Sequence, residues 1–124
     1  MSKPSTLGAA IEAAVEGDER FTREREPIKY RCCYKTKTNT VFAFERVTAD
    51  QINFWLPDLP MIKKIAEENG IKIERSIPWS DPSDSKKYGR ISSLKSIPQL
   101  GDKPLWKVQV KSPTEAFLIL SALP

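Results

Sequence analysis

From Ile28 to Lys35 the side chains change character at every step: Ile28, Tyr30, Cys32 and Tyr34 alternate with Lys29, Arg31, Cys33 and Lys35. A period of two places the two sets on opposite faces of a strand, so the apolar set is expected to face a core and the basic set to face water. The polar stretch TKTNT follows and VFAFERV resumes a β-rich run, which predicts a hairpin. After TAD, the run QINFWLP supplies a third strand, with Ile52, Phe54 and Leu56 on one face and Asn53 and Trp55 on the other. Three such strands joined by short turns predict an antiparallel meander.

At three places the pattern takes the period of a helix. In STLGAAIEAAVE, Leu7, Ile11, Ala14 and Val15 share a face, with Ser5 or Thr6 as cap and Gly17 at the end. PMIKKIAEENG opens with Pro60, lines one side with Met61, Ile62, Ile65 and Ala66, and stops at Gly70. SPTEAFLILSAL carries the clearest local signature: Ser112 as cap, Pro113 at the first helical position and Glu115 three residues after the cap form a capping box. That helix is apolar nearly all round, so it is expected to be buried, and loss of Phe117 or Leu120 should unfold the chain rather than spoil a site. IKIERSI and LWKVQV alternate as strands. The second has Trp106, Val108 and Val110 on one face and Lys107, Gln109 and Lys111 on the other.

Two stretches lack periodicity. DERFTREREP, within residues 18–27, is dense in mixed charge and predicts an exposed connector, and residues 76–104 read as a long surface loop. The pattern predicts one α+β domain over residues 1–124. It has an antiparallel or mixed sheet of about five strands, meander first, packed by an N-terminal helix, a middle helix and a buried C-terminal helix. At 124 residues the chain can close one hydrophobic core unaided.

Composition narrows the chemistry. Histidine is absent, which removes the commonest general base and the commonest transition-metal ligand. Cys32 and Cys33 are adjacent, so they face opposite sides of a strand, cannot readily bridge each other, and lack the spaced pairs of a zinc site. No glycine-rich phosphate loop and no apolar run of membrane-spanning length occurs. The expectation is a cytoplasmic protein with no cofactor, no metal and no membrane partner, a non-enzymatic role being favoured over catalysis.

One enzymatic pattern survives. GDKPLWKVQVKS places Asp102, Gln109 and Lys111 ahead of a helix, and this superficially resembles the PD-(D/E)xK nuclease motif in its glutamine variant. The resemblance covers about a dozen residues and implies a Mg²⁺-dependent phosphodiesterase. Asp102 sits on a turn, and no second acidic ligand is evident.

The net charge of +4 is modest, but it is unevenly laid out. Residues 28–48 carry five basic side chains against one acidic, and residues 85–112 carry seven against one, while the segment between them is acidic. Lys29, Arg31 and Lys35 would share a strand face, with Lys29 and Arg31 about 6.6 Å apart, comparable to neighbouring backbone phosphates. Lys37 extends the patch into the turn and Arg46 widens it from the partner strand. In the loop, Lys86, Lys87, Arg90 and Lys95 are interleaved with Tyr88 and lie near Trp79; with Trp55 these rings are candidates for base stacking. The favoured expectation is a nucleic-acid-binding domain, for DNA or RNA. The alternative is a non-catalytic adaptor, inhibitor or immunity-type protein that docks on a protein partner through Trp55 and the acidic stretch around Glu67, Glu68 and Glu74.

Overall fold

The structure is a computed structural model that describes residues 5–28, 31–46, 48, 50–76 and 105–124. Helix α1 (Thr6–Glu16) begins where the sequence places a cap: Ser5 is extended and its Oγ accepts the Gly8 N–H at 2.9 Å, satisfying one of the helix's orphan donors. A tight turn follows, closed by the Asp18 carboxylate, which accepts from the Arg20 backbone N–H and guanidinium. Strands β1 (Phe21–Ile28), β2 (Arg31–Thr36), β3 (Val41–Glu45) and β4 (Ile52–Pro57) then run in sequence, each antiparallel to the next. The β2–β3 hairpin turns through Asn39, whose φ of 65° lies in the left-handed region that asparagine tolerates.

Helix α2 (Pro60–Glu68), strand β5 (Lys72–Ser76), strand β6 (Leu105–Val110) and helix α3 (Pro113–Leu120) complete the described chain. Strand β6 inserts between β4 and β5, so the sheet order is β1-β2-β3-β4-β6-β5, antiparallel throughout. The fold is α+β as expected, with six strands where about five were anticipated.

The extra strand corrects the expectation of an exposed connector over 18–27. Residues from Phe21 onward pair with β2, in a register broken between Arg23 and Arg25 and again between Arg25 and Ile28. An edge strand needs only one partner, so it tolerates dense charge, irregular register and a proline, features that resemble a linker when read alone. The anchor is Phe21, which is buried and meets Phe42 edge-on at 5.4 Å. Beyond Ser76, the expected 76–104 loop lies outside the described residues, as do Lys29, Trp79, Lys86, Lys87, Tyr88, Arg90, Lys95 and Asp102.

One sheet face packs on the three helices. Cys32, Tyr34, Phe42, Phe44, Phe54 and Val108 from the strands meet Ile11, Val15, Ile62, Ala66, Ile119 and Leu120 from the helices. Phe44 and Phe54, cross-strand partners, stack at 4.8 Å, and Tyr34 stacks on Phe44 at 5.8 Å. Two details differ from the helical pattern. Met61, expected inward, is exposed, while Leu59 just before the helix packs on the core. In α3, Ala116, Ile119 and Leu120 are buried, whereas Leu118 is exposed, so the helix has an outer side despite its apolar composition.

The other face carries a second buried cluster of Cys33, Val41, Ala43, Trp55 and Leu105. The register explains it: Cys33 pairs with Ala43 and Ala43 with Trp55, so the small alanine leaves room for the indole between its neighbours. Cys33 and Trp55, expected on a solvated face, are at most 1% exposed. The sequence carried the reason, because all five residues of β3 are buried and VFAF is a continuous apolar run of the kind found where both faces of a strand are covered.

Candidate nucleic-acid interface

The charged side chains near the sheet sort into two groups, those spent on partners inside the protein and those left open. Beneath α1 lies a polar seam. Glu12 and Glu16, one turn apart, both reach the sheet: Arg46 Nε donates to Glu12 Oε1 at 2.8 Å, and Tyr34 Oη donates to Glu16 Oε1 at 2.7 Å. The hydrogen bonds from Tyr34 and from Arg23 hold the Glu16 carboxyl below the usual carboxylate range. Burial, assisted by the neighbouring Glu12 carboxylate, pushes the Cys32 thiol up from 9.0 to about 12, and burial also raises Tyr34. At neutral pH Cys32 is therefore a protonated thiol and a poor nucleophile.

A thiol whose folded pKa is raised contributes stability that is intact below pH 9.0 and is lost as pH climbs toward about 12. The unfolding free energy should therefore fall by about 1 kcal/mol between pH 9 and 10 on account of this group, by linkage. In Cys32→Ala that component should vanish, leaving a flatter profile in urea titrations over the same interval. Equal slopes in the two proteins would show the thiol to be solvated.

The expected basic strand face does not form as one exposed surface. Arg31 and Lys35 do share the face away from the helices, but Arg31 is only 5% exposed and Lys35 pairs with Glu24 at 3.4 Å. Arg46 follows Glu45 on the strand and so points to the helix side, toward Glu12, rather than widening that patch. Arg31 and Trp55 are thus corrected from exposed contact residues to buried ones; the alternation was read properly, and what failed was the assumption that the second face meets water. Lys37, in the turn, is exposed. Of the acidic contact stretch, Glu67 and Glu68 are exposed at the end of α2, and Glu74 pairs with Lys107 at 3.2 Å.

Several other described cations are similarly engaged, Arg20 with Asp18, Arg23 with Glu16 and Arg75 with Asp58, while Lys37, Lys63 and Lys64 are exposed without an ion pair to any described residue. Among the described residues, Lys72 and Lys111 meet no carboxylate within ion-pair distance, and they line the same polar pocket of about 230 Å³ with Gln51, Gln109 and Glu115. Topology brings them together. Lys72 is the cross-strand partner of Gln109, and Ile52 pairs with Val110, so Gln51 and Lys111 flank the point where β6 leaves the sheet.

The floor is the start of α3. Ser112 Oγ accepts the Glu115 N–H at 3.1 Å, and Glu115 Oε1 accepts the Lys111 N–H at 2.8 Å. The Ser112 arm of the capping box is therefore present, while Glu115 reaches back to the N–H of Lys111 rather than that of Ser112, which keeps one oxygen of the pocket's carboxylate occupied. Two ammonium groups, two amide side chains and the positive end of a helix around one carboxylate suit an oxyanion.

Gln109 and Lys111, the described part of the nuclease-like pattern, do meet here, but Glu115 is the pocket's one lining carboxylate. Among the described residues no group of three or more Cys, Asp or Glu side chains could hold a metal ion. Lys72 and Gln51 were not singled out in the sequence, and Glu115 only as a capping residue, because the three are far apart in the chain and only strand order joins them. No described helix is long and apolar enough to cross a membrane. Comparison with family models, with curated proteins and with solved structures finds no match to this chain.

Proposed function

We propose that this chain is a non-catalytic nucleic-acid-binding domain, and that its pocket at the start of α3 grips a backbone phosphate. The observation that carries the proposal is that Lys72 and Lys111, neither held by an internal carboxylate, line one polar pocket with two amide side chains. Backbone phosphates are recognised by such donors without regard to sequence, and each cation so used releases a counterion. In this proposal the basic segment containing Lys86, Lys87, Arg90 and Lys95, with Tyr88 and Trp79, adds further phosphate and stacking contacts. Catalysis is not part of it: the chain lacks histidine, Cys32 is protonated, and the pocket has a single carboxylate.

The test is fluorescence anisotropy with labelled 20-nucleotide DNA and RNA, single- and double-stranded, between 25 and 200 mM salt. The Lys72→Gln/Lys111→Gln double variant should bind more weakly. Its plot of log K against log salt should be shallower by about 1.4 to 1.8, that is about 0.7 to 0.9 for each of the two cations removed. No binding at 25 mM salt ends the nucleic-acid proposal. Binding lost only in Lys86→Glu/Lys87→Glu, with the double variant unchanged, moves the contact away from the pocket.

A second reading, docking on a protein partner, is favoured by the shallow apolar groove between α1 and α3, lined by Ala14, Phe117 and the exposed Leu118. Partners recovered from a nuclease-treated lysate and lost in Leu118→Asp would support it over the first.

A further inference from the structure

Arg31 opens β2, and its cross-strand partner on β3 is Glu45; the next residue in that row, on β4, is Asn53. The row lies on the face away from the helices, and both charged members are nearly closed to solvent, Arg31 at 5% and Glu45 at 6% exposure. Such a pair would ordinarily be satisfied internally, the guanidinium donating to the carboxylate. Here the carboxylate is spent elsewhere: Glu45 Oε1 accepts the Thr48 N–H at 3.0 Å, and Oε2 accepts from Asn53 Nδ2 at 2.5 Å. Arg31 Nε and Nη1 are buried and hydrogen-bond to nothing, and Asn53 Oδ1 is likewise buried and unbonded.

A guanidinium cannot shed its charge as a buried lysine can, so unbonded donors on it are costly and call for an acceptor. We propose that Arg31 is the anchor of an internal binding position for a small oxyanion of the carboxylate or hydrogencarbonate class. The acceptor oxygens would lie on Nε and Nη1. The limited exposure sets the size: a polymer's phosphate cannot reach a side chain 5% exposed, whereas a free ion of three or four heavy atoms can. This position is therefore separate from the pocket of Lys72 and Lys111 and does not depend on nucleic-acid binding. Glu45, already accepting two hydrogen bonds, would offset the cation's charge, and the anion would complete its hydrogen bonds.

The experiment titrates the intact chain with sodium formate, and in parallel with sodium hydrogencarbonate, against sodium chloride at constant ionic strength. It follows the ¹⁵Nε–Hε resonance of Arg31, assigned by its absence from Arg31→Met. The expected result is a saturable shift of that resonance together with a rise in melting temperature of a few degrees, neither produced by chloride. Arg31→Met, which replaces a buried ion by an apolar side chain of similar length and should fold, should show no anion-dependent rise. A resonance that does not move with either oxyanion overturns the proposal, and so does an equal thermal response in Arg31→Met. If that variant does not fold, the resonance in the native chain decides alone.

Discussion

Replacing Trp55 by alanine should cost roughly 3–5 kcal/mol of stability, the range for deleting a large aromatic side chain from a packed interior. The indole is 1% exposed, among the largest fully buried side chains described, and it is the centre of the cluster formed with Cys33, Val41, Ala43 and Leu105. Its cross-strand neighbour on β3 is Ala43, whose small side chain cannot expand to fill the space left behind. Small domains are stable by about 5–15 kcal/mol, so the loss would consume a large part of the total. In urea titrations the midpoint should fall while the slope stays constant. A change below about 1 kcal/mol would show that the ring lies at the surface, and would restore it as a candidate for base stacking or partner docking.

The position of Trp55 also shows where the sequence was and was not legible. Strand period, turn residues and caps are local signals, and the hairpin through Asn39, the Ser5 and Ser112 caps and Pro60 in the first turn of α2 are all present as read. The face on which each residue of β2, β4 and β6 lies was also legible, because a strand has only two faces. What alternation does not encode is whether the second face is covered. The basic members of β2 therefore looked like a contact surface although Arg31 is buried and Lys35 is paired. Strand β1 was missed for the opposite reason, since an edge strand needs little alternation once a single residue such as Phe21 is anchored.

The pocket was half visible. Gln109 and Lys111 were noticed for their spacing, in the context of a metal-dependent reaction that needs a second carboxylate. Their actual companions are Lys72 and Gln51, contributed by β5 and by the residue before β4, neither adjacent in sequence. Only the insertion of β6 between β4 and β5 unites them, and insertion order is a non-local property. The charge blocks behaved similarly. Blockwise counts located an excess of cations near β2, yet of the four whose side chains are described Lys35 and Arg46 are neutralised by Glu24 of β1 and Glu12 of α1, and Arg31 is buried. Lys72 lies in an acidic block and is free.

Gly8→Ala should destabilise the fold by roughly 2–3 kcal/mol, although alanine is normally the better helix former by about 1 kcal/mol. The sign reverses because of what lies over the helix. A Cβ on Gly8 would stand 2.2 Å from the carbonyl oxygen of Arg46 and 2.9 Å from its carbonyl carbon, both backbone atoms that cannot rotate away. The same oxygen accepts the Ser5 N–H at 2.8 Å, so the first turn of α1 is tied to the end of β3 at the point where a methyl group would intrude. Relief requires α1 to lift, which loosens Ile11 and Val15 from the core and the Glu12–Arg46 pair beneath. Gly17→Ala is the matched control: its Cβ would meet its nearest neighbour at 3.4 Å, with φ at −80°, which alanine adopts freely. Fewer accessible unfolded conformations should leave that variant neutral or more stable, by up to about 1 kcal/mol. Urea unfolding of both variants beside the parent chain decides the matter. If Gly8→Ala proves as stable as the parent, α1 does not rest on β3 in the way these distances require.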